Sequence, residues 1–167
     1  MPRSDTSRAL AHLFSELALG APGGGDAFIL NSGDVGFLKS LDKLSLAEAS
    51  HAIDGGATIA AHARHVTHGL ELMNRWATDG GNPFADARWD EAWKTSAVTD
   101  AQWQEIRASL RREIEHWIAV LGTPRDTSAM ELTGMIASVA HLAYHLGAIR
   151  QIATAARGPR DGAFTHG

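Results

Sequence analysis

The sequence feature that most constrains the fold is a stripe of apolar residues at helical spacing between positions 99 and 122. Its members are Trp103, Ile106, Leu110, Ile114, Trp117 and Leu121. They recur every three or four residues, which places them on one face of an α-helix. Thr99 is a suitable N-cap, and Gly122 with Pro124 signals the end. The segment therefore predicts a long amphipathic helix that packs one face into a core.

Three further segments show the same kind of pattern, so the sequence predicts four long helices and little else. The other three run from Ser4 or Asp5 to Gly20, from Thr58 to about Thr78, and from Asp126, Thr127 or Ser128 to Arg157. Residues 21–57 are irregular, with short helices predicted within 34–44 and 45–53. These boundaries follow from N-cap residues at the starts and from glycine and proline at the ends.

The link between the second and third predicted helices, residues 80–98, is long for an antiparallel hairpin. The two helices are each roughly 30 Å long. A link of this length can extend to roughly 60 Å. It can therefore run back along the molecule, so we expect a crossover that leaves the two helices parallel.

The composition limits the class of protein. A chain of 167 residues fits one domain, predicted over 1–158 with a C-terminal tail at 159–167. A net charge of −4 gives no electrostatic footprint for nucleic acid. No apolar run is expected to span a membrane, and the N-terminus has no signal-peptide pattern, so we expect a cytoplasmic protein. With no cysteine and nine histidines, any metal ligands must be His, Asp or Glu.

The second predicted helix carries three histidines in the stretch HARHVTH: His62, His65 and His68. At about 100° per residue, the outer two point roughly 120° apart, so the three cannot converge on one point. His62 lies near the centre of the apolar stripe and His65 lies toward its edge. Periodicity favours either His62 or His65 as the inward histidine and does not choose between them.

The fourth predicted helix places His141 and His145 one turn apart on its apolar side. Two imidazoles at this spacing can share one metal ion. A third imidazole from the second helix would complete a three-histidine site with an open fourth position, which is typical of catalytic metals. The competing interpretation is that these are core histidines bonded to backbone or carboxylate groups.

Two blocks of sequence, TIAAHARHVTHGLELMNRW and SVAHLAYHLGAIRQI, resemble the DinB/YfiT-like superfamily. The matching positions are Thr58, Ile59 and His65 in the first block, and His141, His145, Gly147 and Ile149 in the second. Ala148 departs from the pattern, because glutamine is common there. The similarity covers the four helices and the long link, and the paired histidine blocks are its specific part.

The resemblance implies an all-α fold, a four-helix bundle with up-down-down-up connectivity and a long crossover between helices 2 and 3. It implies a divalent metal, zinc or nickel, held by His65, His141 and His145. It also implies a metal-dependent enzyme that acts on a small molecule, either as a hydrolase or as an S-transferase or isomerase that uses a low-molecular-weight thiol. A homodimer without a nucleic-acid or membrane partner is expected.

Four other residues are candidates for substrate binding: His62, Ser138, His68 and Trp93. Three of them have a plainer alternative, since Ser138 can bond its own helix, His68 can be solvated, and a tryptophan of the link can cover the apolar side of the helices. The alternative function is a non-catalytic metal-binding or structural bundle. A carboxylate as fourth ligand would favour that alternative, whereas an open site beside an apolar pocket would favour an enzyme.

Overall fold

The computed structural model describes residues 3–21, 23 and 26–158, and this part of the chain is all-helical, as predicted. The seven helices are α1 (Arg3–Leu19), α2 (Gly36–Asp42), α3 (Leu46–Ala49), α4 (Ile59–Asp79), α5 (Trp89–Trp93), α6 (Asp100–Gly122) and α7 (Ala129–Ile152). A single turn of 3₁₀-helix follows at Thr154–Ala156. The predicted tail at 159–167 lies outside the described residues.

Local capping fixes the starts of the three longest helices. The side chains of Thr58, Thr99 and Ser128 each accept a hydrogen bond from a backbone N–H in the first turn of α4, α6 and α7. Thr99 and Ser128 also form capping boxes with Gln102 and Glu131. These bonds satisfy N–H groups that would otherwise lack partners, so the predicted helix starts are confirmed.

The end of α7 differs from the prediction. The helix stops at Ile152, not at Arg157, because Ala153 adopts an extended conformation (φ −124°, ψ 117°). The following 3₁₀ turn brings Ala156 into the core, where it is fully buried. Arg150 stabilises this turn by donating from Nε to the Ala156 carbonyl at 3.2 Å and from its two terminal nitrogens to Asp34 at 2.8 and 2.6 Å.

The link between α4 and α6 contains an element that the sequence pattern did not predict. Trp89–Trp93 form the short helix α5, which packs against α4. Five residues are too few to show helical periodicity, so a tertiary contact decides this conformation. The short helix places two tryptophans over one stretch of α4.

The core lies among the four long helices. α4 contacts both α6 and α7, and α1 contacts the same two helices. Phe14, Leu110, Trp117 and Leu142 are at most 1 % exposed. The indole nitrogen of Trp117, which is fully buried, donates to the Ser138 hydroxyl at 2.9 Å, so its polar atom is satisfied. This packing holds α4 and α7 side by side, which positions the histidines described below.

In the described part of the chain, α7 is the one helix long and apolar enough to cross a membrane. The prediction that no apolar run is long enough to span a membrane is therefore wrong by length and composition. Length and composition alone are weak evidence, because the core helices of water-soluble proteins pass the same test. Only 33 % of the apolar stretch of α7 is buried, so this helix also presents apolar surface outward.

Candidate metal centre

α4 and α7 bring three histidines together at the level of Gly69. His65 Nε2 lies 3.1 Å from His141 Nε2, and His145 Nε2 lies 3.0 Å from the same atom. The three ligand atoms are all within 4.8 Å of one another. Two nitrogens bound to one tetrahedral ion at 2.0–2.1 Å are separated by about 3.3 Å. The three histidines are thus close enough to hold one metal ion.

Hydrogen bonds between the imidazoles cannot satisfy all three Nε2 atoms at once. A neutral imidazole has one N–H and one lone pair, on different nitrogens. His141 Nε2 faces two other Nε2 atoms, yet it can either donate one proton or accept one, so one of its two contacts lacks a proper hydrogen bond. A cation accepts all three lone pairs at once. The donor set therefore fits a divalent ion that prefers imidazole nitrogen.

The environment keeps the cluster neutral, as metal ligation requires. Burial, together with the neighbouring His141, His62 and His68, lowers the pKa of His65 to about 4. Burial, followed by the effects of His141, His62 and His65, lowers the pKa of His145 to about 3. Burial also lowers the pKa of His62 and of His141. At neutral pH the imidazoles therefore have lone pairs available.

His62 contacts the site from behind and is not one of the three convergent histidines. Its Nδ1 lies 2.9 Å from Nδ1 of His145, and its side chain is 8 % exposed. If His145 uses Nε2 as a ligand atom, its Nδ1 carries the proton and donates a hydrogen bond to Nδ1 of His62. Such an outer contact fixes the ring orientation and the tautomer of a ligand histidine. The corresponding atom of His65, Nδ1, is buried without a hydrogen-bond partner.

Two tryptophans of α5 cover the histidines. Trp93 stacks on the His65 ring with 4.4 Å between centroids and meets His62 edge-on at 5.4 Å. Trp89 contacts His65 at 5.6 Å and His68 at 5.3 Å. Both indoles remain about 40 % exposed, at 39 % and 40 %. They form a partial cover that shields the histidine rings from water.

The remaining candidates have other contacts. The Ser138 hydroxyl donates to the Met135 carbonyl at 2.7 Å while it accepts from Trp117, so it bonds its own helix as the plainer alternative proposed. His68 is partly buried, 3.6 Å from the Glu71 carboxylate, and borders a different, polar cleft between α4 and α6. Trp93 contacts the histidine rings and does not line the apolar cavity described next.

An apolar cavity of about 690 Å³ opens beside His141. It lies between α4, α7 and the link, and its walls include Met73, Trp76, Phe84 and Leu142. This volume is in the range of small-molecule sites. The sequence pattern did not reveal the cavity, because its walls come from segments far apart in the chain.

Comparison with protein-family models, with curated proteins and with solved structures finds no match to this chain.

Proposed function

We propose that the protein is a metal-dependent enzyme that holds one divalent ion through His65, His141 and His145. The observation that carries this proposal is the contact of His141 Nε2 with two other Nε2 atoms, at 3.1 and 3.0 Å, among neutral imidazoles. A protein that only buried histidines would pair each ring nitrogen with a carbonyl or carboxylate, since unpaired buried polar groups are costly. Here the rings converge on one another.

An ion bound in this way supplies Lewis acidity, which lowers the pKa of a water or thiol and polarises a substrate carbonyl. The protein's own residues perform the other tasks. His62 orients His145 through the Nδ1 contact, and Trp93 restrains His65 by stacking. The apolar cavity beside His141 binds the substrate and excludes water from it. Zinc and nickel are the proposed metals.

The competing function is a structural metal site in a non-catalytic bundle. Closed structural sites have four protein ligands. Within the described ranges, the candidate ligand group contains three histidines and no carboxylate. An apolar cavity also reaches His141 directly. Both observations favour a catalytic site over a structural one.

We also propose that the chain belongs to the DinB/YfiT-like superfamily and has its up-down-down-up bundle. Two hydrogen bonds between the α4 region and the α6 region support parallel helices. Thr58 at the start of α4 donates to the carbonyl of Thr95, just before α6, at 2.9 Å. Asn74, sixteen positions later, donates to the carbonyl of Glu113 at 3.1 Å. The partners thus advance in the same direction along both helices.

We rank thiol-dependent transfer or isomerisation ahead of hydrolysis on the resemblance to the DinB/YfiT-like superfamily. Because the chain has no cysteine, the sulfur would come from a low-molecular-weight thiol. We propose a cytoplasmic homodimer that acts on a small molecule. Exposed apolar side chains on α7, including Ile136 at 53 % and Tyr144 at 69 %, support an interface between two copies.

Metal analysis of purified protein tests the site. We expect about one equivalent of zinc or nickel per chain, and loss of that metal in His65→Ala, His141→Ala and His145→Ala. His116→Ala is the matched control, because His116 is an exposed histidine on α6. Full occupancy in His65→Ala, with loss in His62→Ala, would mean that His62 is the α4 ligand. No metal in the wild type after reconstitution would refute the proposal.

Activity distinguishes the enzyme from the structural alternative. The zinc- and nickel-loaded proteins are to be assayed with ester and amide substrates, and with thiols plus an electrophile or a thiol adduct. We expect turnover that disappears in His141→Ala and in the metal-free protein. A metal-loaded protein whose ion exchanges no ligand with added thiols or hydroxamates would support the structural alternative.

A further inference from the structure

We propose that the cavity beside His141 binds an uncharged, largely apolar ligand whose single polar end faces His141. This inference rests on the proposed metal-dependent function and specifies its substrate class. The lining is mostly aromatic, aliphatic or glycine, and its polar side chains other than tryptophan are Asn82, Thr133, Ser138 and His141. No aspartate, glutamate, lysine or arginine belongs to this lining, as far as the described residues go.

The absence of charged side chains from the lining disfavours a ligand that carries charge along its body. An ionised group held against the walls away from His141 would lose its hydration without gaining an ionic partner, which is strongly unfavourable. Aromatic and aliphatic walls instead favour an apolar body through the area removed from water. The ligand is therefore neutral along most of its length, unlike a peptide-like thiol that carries carboxylates.

Three oxygen atoms of the lining are already hydrogen-bonded within the protein. Thr133 Oγ1 donates to the Ala129 carbonyl at 2.8 Å, and Ser138 donates to the Met135 carbonyl. Asn82 Oδ1 accepts from the Phe84 N–H at 3.2 Å. The lining also includes the indole N–H groups of Trp76 and Trp89 and the amide nitrogen of Asn82, all of which can only donate. Among the described lining residues, His141 alone belongs to the candidate ligand group. The polar end of the ligand therefore meets the cavity wall at His141.

Gly69 gives independent support for free space at that end. This glycine lies inside α4, where glycine weakens a helix, and its φ is not positive. A Cβ placed there would lie 3.7 Å from the His141 ring and 3.8 Å from the Trp89 ring, which is ordinary contact. Neither backbone conformation nor close packing requires glycine at this position. The missing side chain widens the cavity beside His141.

Binding of two matched fluorescent probes tests the proposal. N-phenylnaphthylamine is uncharged and apolar, and anilinonaphthalene sulfonate has the same two ring systems plus a sulfonate. In the zinc-free protein we expect the uncharged probe to bind with one-to-one stoichiometry and at least about tenfold more tightly than the sulfonate, because the lining has no cationic side chain. Equal affinity for both probes, or no binding of the uncharged one, would overturn the proposal.

Two alanines on α7 provide a matched pair of variants. Ala137 lines the cavity and Ala140, three positions later, does not, although both are exposed. We expect Ala137→Leu to weaken binding of the uncharged probe at least about tenfold and Ala140→Leu to leave it within about twofold. Equal effects of the two variants would place the probe elsewhere and contradict the proposal.

Two ligands that differ in their ability to bind metal test where the polar end of the ligand lies. Phenylbutyryl hydroxamate and phenylbutyramide are both uncharged, and only the hydroxamate is a strong metal ligand. Zinc loading is expected to raise the affinity of the hydroxamate, measured by displacement of the uncharged probe, at least about tenfold relative to the amide. The same gain must disappear in Ala137→Leu.

The two proposals fail in different ways. If the uncharged probe binds at Ala137 while zinc gives the hydroxamate no advantage, the cavity does not serve the metal site and this inference is wrong. If zinc binds stoichiometrically while the probe does not bind, the proposed metal centre stands and only the apolar substrate class is refuted. Probe binding is measured with and without zinc, so it does not depend on catalysis.

Discussion

Acidification from about pH 7.5 to about pH 5 is expected to destabilise the metal-free protein by about 4 kcal/mol through His65 and His145. Burial is the main cause in both residues, and it lowers their pKa values in the folded protein to about 4 and about 3. In the unfolded chain both imidazoles have the ordinary histidine pKa of about 6.5. The folded protein therefore resists protonation that the unfolded chain accepts.

The sign and size follow from proton linkage. Above about pH 6.5 both states are neutral and the stabilising contribution is fully present. As the pH falls below that value, the unfolded chain binds protons that the folded cluster does not, and each histidine costs about 1.36 kcal/mol per pH unit until its folded pKa is reached. About 1.5 units give about 2 kcal/mol for each residue, a large part of a typical domain stability of 5–15 kcal/mol.

The lowered pKa values also move the pH range in which protons compete with a metal. With an ordinary histidine pKa, metal affinity would weaken below about pH 6.5 and a chelator would matter much less near pH 5. In the folded protein, His65 and His145 stay neutral to about pH 4. We therefore expect the stabilisation by zinc to persist at about pH 5 and to be lost below about pH 4.

Urea unfolding of zinc-free and zinc-loaded protein at several pH values measures both effects. The control is the double variant His65→Leu/His145→Leu, in which the zinc-free protein should lose about 4 kcal/mol less on acidification than the wild type. A zinc-free wild type with the same stability at both pH values would refute the assignment of buried neutral histidines. Loss of the zinc effect already at pH 6 would show that the ligands keep ordinary pKa values.

Three substitutions test separate contacts. His62→Ala should lower zinc affinity about 10- to 100-fold in a competition titration, because the His145 ring loses the partner that orients it. Arg150→Met should lower the free energy of unfolding in urea by about 3–5 kcal/mol, because it leaves the Asp34 carboxylate buried, 3 % exposed, without its cation. Gly69→Ala should raise the free energy of unfolding by about 0.5–1 kcal/mol, because it adds no clash and restrains the unfolded chain, and should weaken binding of the uncharged probe.

Each of these has an outcome that would contradict it. Unchanged zinc affinity in His62→Ala would show that the Nδ1 contact does not position His145. An Arg150→Met/Asp34→Asn double variant is expected to recover part of the stability, and additive losses would mean that the ion pair is not the cause. Destabilisation by Gly69→Ala would indicate that the helix needs glycine there for packing.

The sequence by itself determined the features that depend on neighbours along the chain. The starts of α4, α6 and α7 were predictable because Thr58, Thr99 and Ser128 each cap the helix that follows through a hydrogen bond to the backbone three residues away. The all-helical class followed from the same apolar spacing. The pairing of His141 with His145 was also local, because one helical turn separates them.

Only the tertiary structure decided the features that depend on distant segments. Periodicity left His62 and His65 as equal candidates, and the packing of α4 against α7 turned His65 toward His141 and His62 toward the back of His145. α7 ends at Ile152, and the turn that follows is held by Arg150, which bonds both the Ala156 carbonyl and Asp34, more than a hundred residues away. The short helix α5 and the apolar cavity likewise arise where separate elements meet. Backbone hydrogen bonds and caps act over a few residues, whereas side-chain burial depends on what packs opposite.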